Sequence, residues 1–312
     1  MSEGDLRVVL GAGPVGRSLV GLLEDAGHAV RVVSRSGTAD VSPGPEVVQA
    51  DVADAEAVIL ACAGASIVYG CVGLDYTGWP KRWPPMMEGM LAGATAAGAR
   101  FVFMDNLYVY GPVDGPMHEE MPLTEYGRKP ATRADLTRMW QYAHAAGRLE
   151  AAAVRASDFY GPGVTQAVLG DYSFGRIVKG KSAQVFGDPD QPHSFSYVPD
   201  IARALVSVGD TEDAMGQAWN VPNAPDRTTR EVLAMFAAAV GQDLKVQTMP
   251  GVLMSALGLL NRNLAEAKEM RYQWQRPFHV DHGKFAARFW DDATPLEEGV
   301  ASTADWYRRR AA

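Results

Sequence analysis

Leu6-Arg7-Val8-Val9-Leu10-Gly11-Ala12-Gly13-Pro14-Val15-Gly16 is a short apolar run that enters a glycine-rich turn, after which Val15, Leu19, Leu22 and Leu23 recur at helical spacing up to Gly27. The hydrophobic period changes across the glycines, so the stretch reads strand, turn, helix. In that setting each glycine has a task. Gly11 permits the tight turn, Gly13 lets the backbone approach a pyrophosphate, and Gly16 lets the helix pack closely on the strand. Pro14 suits the first helical position, where a missing N–H costs nothing, and Val15 completes the loop. The amino end of the helix then faces an anion. A generic tight turn is the alternative, and the strand-to-helix context weighs against it.

Working outward, further strands read at Ala29 to Val33 and Val47 to Ala50, and Asp54 caps a helix that Gly64 stops. Ser66 to Val72, Arg100 to Met104 and Ala151 to Arg155 continue the strands, with helices at Met86 to Ala97 and Ala131 to Ala146. Strands alternating with helices predict an α/β fold, a Rossmann-like doubly wound parallel sheet with ligands at the carboxyl ends of its strands. Past about residue 157 the alternation decays. The expected division is a cofactor domain over 1–156 and a smaller C-terminal substrate lobe over 157–312, with segments around 195–221, including Trp219-Asn220-Val221, returning to the first domain.

Composition narrows the function classes. The chain has 312 residues, 47% hydrophobic, and a net charge of −8. An acidic protein is poorly suited to nucleic acid, whose phosphates call for a basic face. The longest apolar run, Val252 to Leu260, is about half of a bilayer span. With no positive, apolar leader visible at Met1 to Asp5, a cytoplasmic location without membrane anchor is expected. Cys62 and Cys71 read as buried small residues rather than a disulfide. Six scattered histidines show no metal spacing, so no metal site is expected. Periodicity does not settle the oligomeric state.

The end of the second strand discriminates between nicotinamide cofactors, because an acidic residue there would bind the ribose hydroxyls and repel an added phosphate. It reads Val33-Ser34-Arg35-Ser36. The Arg35 guanidinium, beside Ser34, suits a phosphate, so NADPH is expected over NADH, with NADH allowed. An ordinary surface arginine is the alternative. Asp51 and Val52, after the third strand, are placed at the adenine, and Cys71, Val72 and Gly73 against the ribose and nicotinamide.

These residues, with Val109-Tyr110-Gly111-Pro112, Phe159-Tyr160-Gly161-Pro162-Gly163 and Phe195-Ser196-Tyr197-Val198-Pro199-Asp200, resemble the extended short-chain dehydrogenase/reductases, a family that includes nucleotide-sugar epimerases. The resemblance spans almost the whole chain, to Trp306-Tyr307-Arg308. It implies a residue that orients the substrate carbonyl at the end of the fifth strand, and Asn106 stands there. It also implies a Tyr-x-x-x-Lys pair on the next helix, the lysine lowering the phenol's pKa while the phenol handles the proton. Eleven tyrosines occur and none is followed four residues later by lysine. Two registers remain: Tyr126 with Pro130 at the lysine place, or Lys129 with Arg133, the second preferred because Pro130 then enters the helix at its first turn. Ser157 and Phe159 complete the implied cofactor set.

On the substrate side, Tyr76-Thr77-Gly78-Trp79-Pro80-Lys81-Arg82-Trp83 follows the fourth strand. Tyr76, Trp79 and Trp83 read as a flat aromatic wall, with core packing under a long loop as the alternative. Tyr160, His193 and Phe195 are further substrate candidates, and Tyr272, Trp274 and Phe278 are placed to close over a ligand. Leu253, Met254, Leu257 and Leu260 read as core. This pattern is similar to an atypical branch that contains antibiotic-pathway ketoreductases. That implies NADPH-dependent reduction of a polycyclic aromatic ketone, an angucyclinone-type polyketide. The proton source stays open among Lys129, Tyr108 and a phenol on the substrate itself, the last being favoured. The alternatives are a nucleotide-sugar epimerase or dehydratase, and a non-catalytic NADP-binding sensor.

Overall fold

The computed structural model describes residues 5–249, 266 and 268–311. Strand β1 (Leu6–Leu10) is followed by helix α1 (Pro14–Asp25), β2 (Ala29–Ser34), β3 (Glu46–Gln49), α2 (Ala55–Cys62), β4 (Ala65–Gly70), α3 (Trp79–Ala97) and β5 (Arg100–Asn106). A 3-10 turn over Leu107–Tyr110 leads on to α4 (Lys129–Ala145), β6 (Ala151–Ala156) and β7 (Asp158–Tyr160). Then come α5 (Phe174–Ile177), β8 (Ala183–Phe186), β9 (Pro192–His193), β10 (Phe195–Tyr197), α6 (Val198–Gly209), β11 (Ala218–Asn220), β12 (Arg227–Thr228), α7 (Thr229–Ala239) and β13 (Val246–Met249). Helices α8 (Gly283–Arg288) and α9 (Leu296–Ala311) end the described chain.

The central sheet has seven strands in the order β11-β6-β5-β4-β1-β2-β3, and all its pairings are parallel. The order reverses at β1, and that reversal opens the crevice at the strand ends where a dinucleotide binds in folds of this kind. This is the doubly wound Rossmann-like α/β fold. Two apolar layers cover the sheet. One holds Val9, Leu19, Leu23 and Leu205; the other holds Leu10, Trp83, Met87, Phe103 and Trp140. A third cluster is built from residues that follow β6 in the chain, centred on Phe174 stacked on Phe236 at 3.9 Å with Tyr307 against their edges.

Local chemistry explains the element ends. Asp54 accepts from the backbone N–H groups of Glu56 and Ala57 and caps α2, and a Thr228–Glu231 capping box starts α7. Of the boundaries that differ from those expected, two bear on the site. Helix α3 begins at Trp79 rather than Met86, because Gly78 takes the left-handed conformation and Pro80 occupies the first turn, with Pro84 and Pro85 carried inside. Strand β4 stops at Gly70, so Cys71 lies just beyond it; Cys71 and Cys62 are both free and buried. Residues 252–260, read above as an apolar run, lie outside the described residues.

Candidate functional site

The glycine turn is built for close approach. Gly11 has φ +112°, and a Cβ there would meet the Cys71 carbonyl oxygen at 2.8 Å; one on Gly16 would fall 2.0 Å from the Gly11 oxygen. A Cβ on Gly13 would meet nothing within 4 Å. That open space lies at the amino end of α1, which has no side-chain cap and no acidic residue in its first turn. Its N–H groups therefore remain available to an anion. Val15 is buried beneath the turn beside Pro14. These features fit the pyrophosphate of a dinucleotide, which when bound would supply or accept a hydride at its nicotinamide.

Around this turn, Ser34 donates to the Thr38 carbonyl oxygen at 2.8 Å and Ser36 lies 2.9 Å from the Thr38 hydroxyl, which shapes a small polar loop. Arg35 stands exposed on that loop, and its guanidinium has no ion pair among the described residues. Asp51 is exposed and accepts from the Ala53 N–H, while the Val52 side chain is buried. Cys71, Val72 and Gly73 pass over the carboxyl end of β4, directly against Gly11.

At the end of β5, Asn106 accepts the Tyr108 backbone N–H through its Oδ1 at 3.1 Å, capping the 3-10 turn. The bond fixes the carboxamide and leaves its NH2 group without a partner among the described residues. Asn106 is therefore both turn former and oriented donor. The Tyr108 hydroxyl lies 3.0 Å from that of Tyr76, and the Trp79 ring stacks on Tyr108 at 6.1 Å. Burial pushes both phenols up, Tyr76 to about 12 and Tyr108 well above its ordinary value.

The start of α4 does not reproduce a tyrosine-lysine pair. Lys129 is buried, and its Nζ lies 2.5 Å from a Glu266 oxygen and 2.9 Å from Glu269. Tyr126, the other candidate register, is exposed and turned edge-on to Tyr272. Arg133 is buried too. Its guanidinium lies over the Trp83 ring at 4.1 Å and the Trp79 ring at 5.0 Å, and one nitrogen is 3.4 Å from Asp105. Burial lowers its pKa, with Asp105 opposing.

Several expected ligand contacts turn out to be core. Trp79 and Trp83 are 3% and 0% exposed, packed under Arg133 and against Phe103, because α3 starts early and turns both indoles inward. The aromatic wall is thus reduced to Tyr76. Tyr160 and Phe195 belong to the third apolar cluster. Ser157 is buried; its hydroxyl donates to the Ser194 carbonyl oxygen and its backbone N–H donates to the Ser196 hydroxyl oxygen. Phe159 packs at the margin of the sheet's apolar layer. His193 is buried between Phe195 and Phe278, with its Nε2 3.3 Å from Asp158 but off the hydrogen-bonding axis. Tyr272 and Trp274 do pack onto Tyr76 and Tyr108.

Two groups escaped the sequence reading. Asp105 is fully buried between Arg133 and Arg155, and Arg155 donates to the Tyr110 hydroxyl at 2.5 Å. Charged residues inside the apolar runs Arg100 to Asn106 and Ala151 to Ala156 were the signal. Asp158 accepts from the Trp274 indole N–H at 2.9 Å, beneath the phenols. Among the described residues no His, Cys, Asp and Glu cluster could hold a metal ion, and no helix is long and apolar enough to cross a membrane.

Fold and turn together define a Rossmann-type protein built to hold a nicotinamide dinucleotide. Residues 8–221 match the NAD dependent epimerase/dehydratase family, and the chain belongs to it. It is 24% identical over 228 residues to dTDP-glucose 4,6-dehydratase 1 of Escherichia coli, covering 67% of this chain and 58% of that protein. The chain spans about half the length of the curated relatives it matches. Its fold is similar to that of MoeE5 in complex with UDP-glucose and NAD, with a TM-score of 0.81, 22% identity and coverage of 99% and 100%. It is also similar to UDP-glucose 4-epimerase of Thermus thermophilus in complex with NAD, with a TM-score of 0.79, 20% identity and coverage of 97% and 99%. The family is that of the extended dehydrogenase/reductases expected from the motifs; nothing in these matches singles out the ketoreductase branch.

Proposed function

We propose that the chain is an NADPH-dependent reductase that converts a ketone on a small ring-bearing substrate to an alcohol. The observation that carries this is the pairing of an open Gly13 turn after β1 with the Asn106–Tyr108 unit after β5, both at the carboxyl end of the parallel sheet with only β4 between them. A hydride source and an oriented donor for the carbonyl oxygen are then on the same side of the sheet. Arg35, exposed where an acidic residue would repel a phosphate, supports NADPH, although the solved relatives hold NAD. The substrate side supports a neutral ligand. Lys129 and Arg133, the cations beside Tyr76 and the two indoles, are already matched by Glu266, Glu269 and Asp105. A polycyclic aromatic ketone of angucyclinone type is the finer reading. Tyr76, Tyr108 and Tyr272 support it, but the buried indoles no longer do.

The comparisons favour a second reading, a nucleotide-sugar epimerase or dehydratase, because the named relatives act on such substrates or were solved with them. One assay separates the two. Loss of NADPH absorbance on mixing with 1-tetralone or a larger fused-ring ketone supports the reductase. Conversion of dTDP-glucose or UDP-glucose, with no NADPH consumed, supports the second reading. Tight NADP binding with neither reaction would leave a non-catalytic sensor.

A further inference from the structure

The reductase reading leaves the proton unassigned, and this inference rests on that reading. Around the end of β5 three phenols converge. Tyr108 is tied through its backbone to Asn106, Tyr76 meets it hydroxyl to hydroxyl at 3.0 Å, and Tyr272 brings a buried hydroxyl with no partner among the described residues. We infer that Tyr108 is the acid that protonates the substrate oxygen, with Tyr76 as its positioning and proton-resupplying partner.

The electrostatics around the pair differ from those of a tyrosine-lysine pair in a specific way. A free lysine beside a phenol favours its anion, so the phenol serves as base as readily as acid. Here the Lys129 ammonium lies 5.6 Å from the Tyr76 ring centre, but its charge is matched by two carboxylates. Burial is the main force against ionisation of both phenols; the Asp158 carboxylate adds to it at each, and at Tyr76 the buried Arg133 guanidinium works the other way without reversing the direction. Both groups are therefore held protonated, the state a general acid needs.

The step balances as follows. The carbonyl carbon gains a hydride and NADPH is oxidised to NADP; the C=O π pair moves to oxygen, which takes the proton as the Tyr108 O–H bond breaks. Tyr108 then regains a proton along the hydrogen bond from Tyr76, and Tyr76 regains one from solvent. Asn106, held by its bond to the Tyr108 N–H, donates to the same oxygen from its NH2 group. Because neither phenol starts as a base, the same site is poorly arranged for alcohol oxidation.

The test uses the full chain and a matched pair of ketones. 1-Tetralone has no proton of its own to give, whereas 8-hydroxy-1-tetralone carries a phenol hydrogen-bonded to its carbonyl. Tyr108→Phe is expected to lower kcat for 1-tetralone by about 100-fold, with KM and NADPH binding by fluorescence quenching within twofold of wild type. On 8-hydroxy-1-tetralone most of that loss should disappear. Tyr76→Phe should lower kcat by about tenfold and lower the pH at which kcat falls, which a merely structural role would not do. A Tyr108→Phe enzyme within twofold of wild type on 1-tetralone would overturn the assignment while leaving the reductase reading intact. A wild type that oxidises no NADPH with either ketone would overturn both.

Discussion

Glu269 holds Lys129 twice: one carboxylate oxygen lies 2.9 Å from the Lys129 Nζ, and the other accepts the Lys129 backbone N–H at 3.1 Å. The first bond matches a buried charge. The second satisfies an unpaired N–H group at the amino end of α4, where no side chain of the helix itself does so. A residue more than a hundred positions downstream thereby pins the segment carrying Tyr272 and Trp274 over the site.

Removing both acidic partners should therefore be costly. A Glu266→Gln/Glu269→Gln variant leaves the Lys129 ammonium buried without a counter-charge, which costs about 3–5 kcal/mol. Adding Lys129→Met to that background should recover much of the loss, since no buried charge then remains. Urea unfolding of the three proteins measures this. A double variant as stable as wild type would show that the ion pair is solvated in solution.

The glycine turn separates folding from binding. Gly16→Ala places a Cβ against the Gly11 carbonyl and should destabilise the fold, seen as a lower thermal midpoint. Gly13→Ala meets no protein atom and should leave that midpoint within about 1 °C of wild type, a change below about 1 kcal/mol. Its effect should fall on the cofactor, weakening NADPH binding by at least about tenfold, roughly one charge-assisted hydrogen bond. Unchanged NADPH affinity in a well-folded Gly13→Ala protein would place the pyrophosphate elsewhere.

Arg35 decides between cofactors on one charge. Replacing it with serine should weaken NADPH by about 1.5–3 kcal/mol, the contribution of a charge-assisted bond to a phosphate. NADH, which lacks that phosphate, should bind the variant as it binds wild type. Equal losses for both cofactors would mean that Arg35 shapes the loop rather than reading the phosphate.

Much of the frame was legible because its signals are local. The change of period at Gly11 to Gly16, the Asp54 cap and the apolar strand runs are each decided within a few residues, and the structure has all of them. The indoles were harder. Whether Trp79 and Trp83 face a ligand or the core depends on where α3 begins, and that depends on Gly78 taking a positive φ, seven or more residues before the clear helical pattern. Long-range pairings were not legible at all. Nothing near Lys129 announces Glu269, which comes from a segment after the last strand of the sheet, and nothing near Tyr108 announces Tyr76, which comes from a different crossover.

Alkaline pH should expose the buried neutral groups together. Burial pushes Tyr110 up from 10.0 to about 12, and the Cys62 and Cys71 thiols up from 9.0 to about 12. In the unfolded chain these groups ionise at their ordinary values, so between about pH 9 and 12 the fold binds more protons than the unfolded state does. Their contribution to stability is thus complete below pH 9 and is lost as pH rises through that window, by up to about 1.4 kcal/mol per pH unit for each group. Guanidinium unfolding at pH 7, 9 and 10.5 should show a flat first interval and a steep second one. The same burial should keep both thiols silent toward a disulfide reagent in the native protein at pH 8 and reactive only after unfolding. Fast labelling of either cysteine in the native state would place it at a surface the structure does not have.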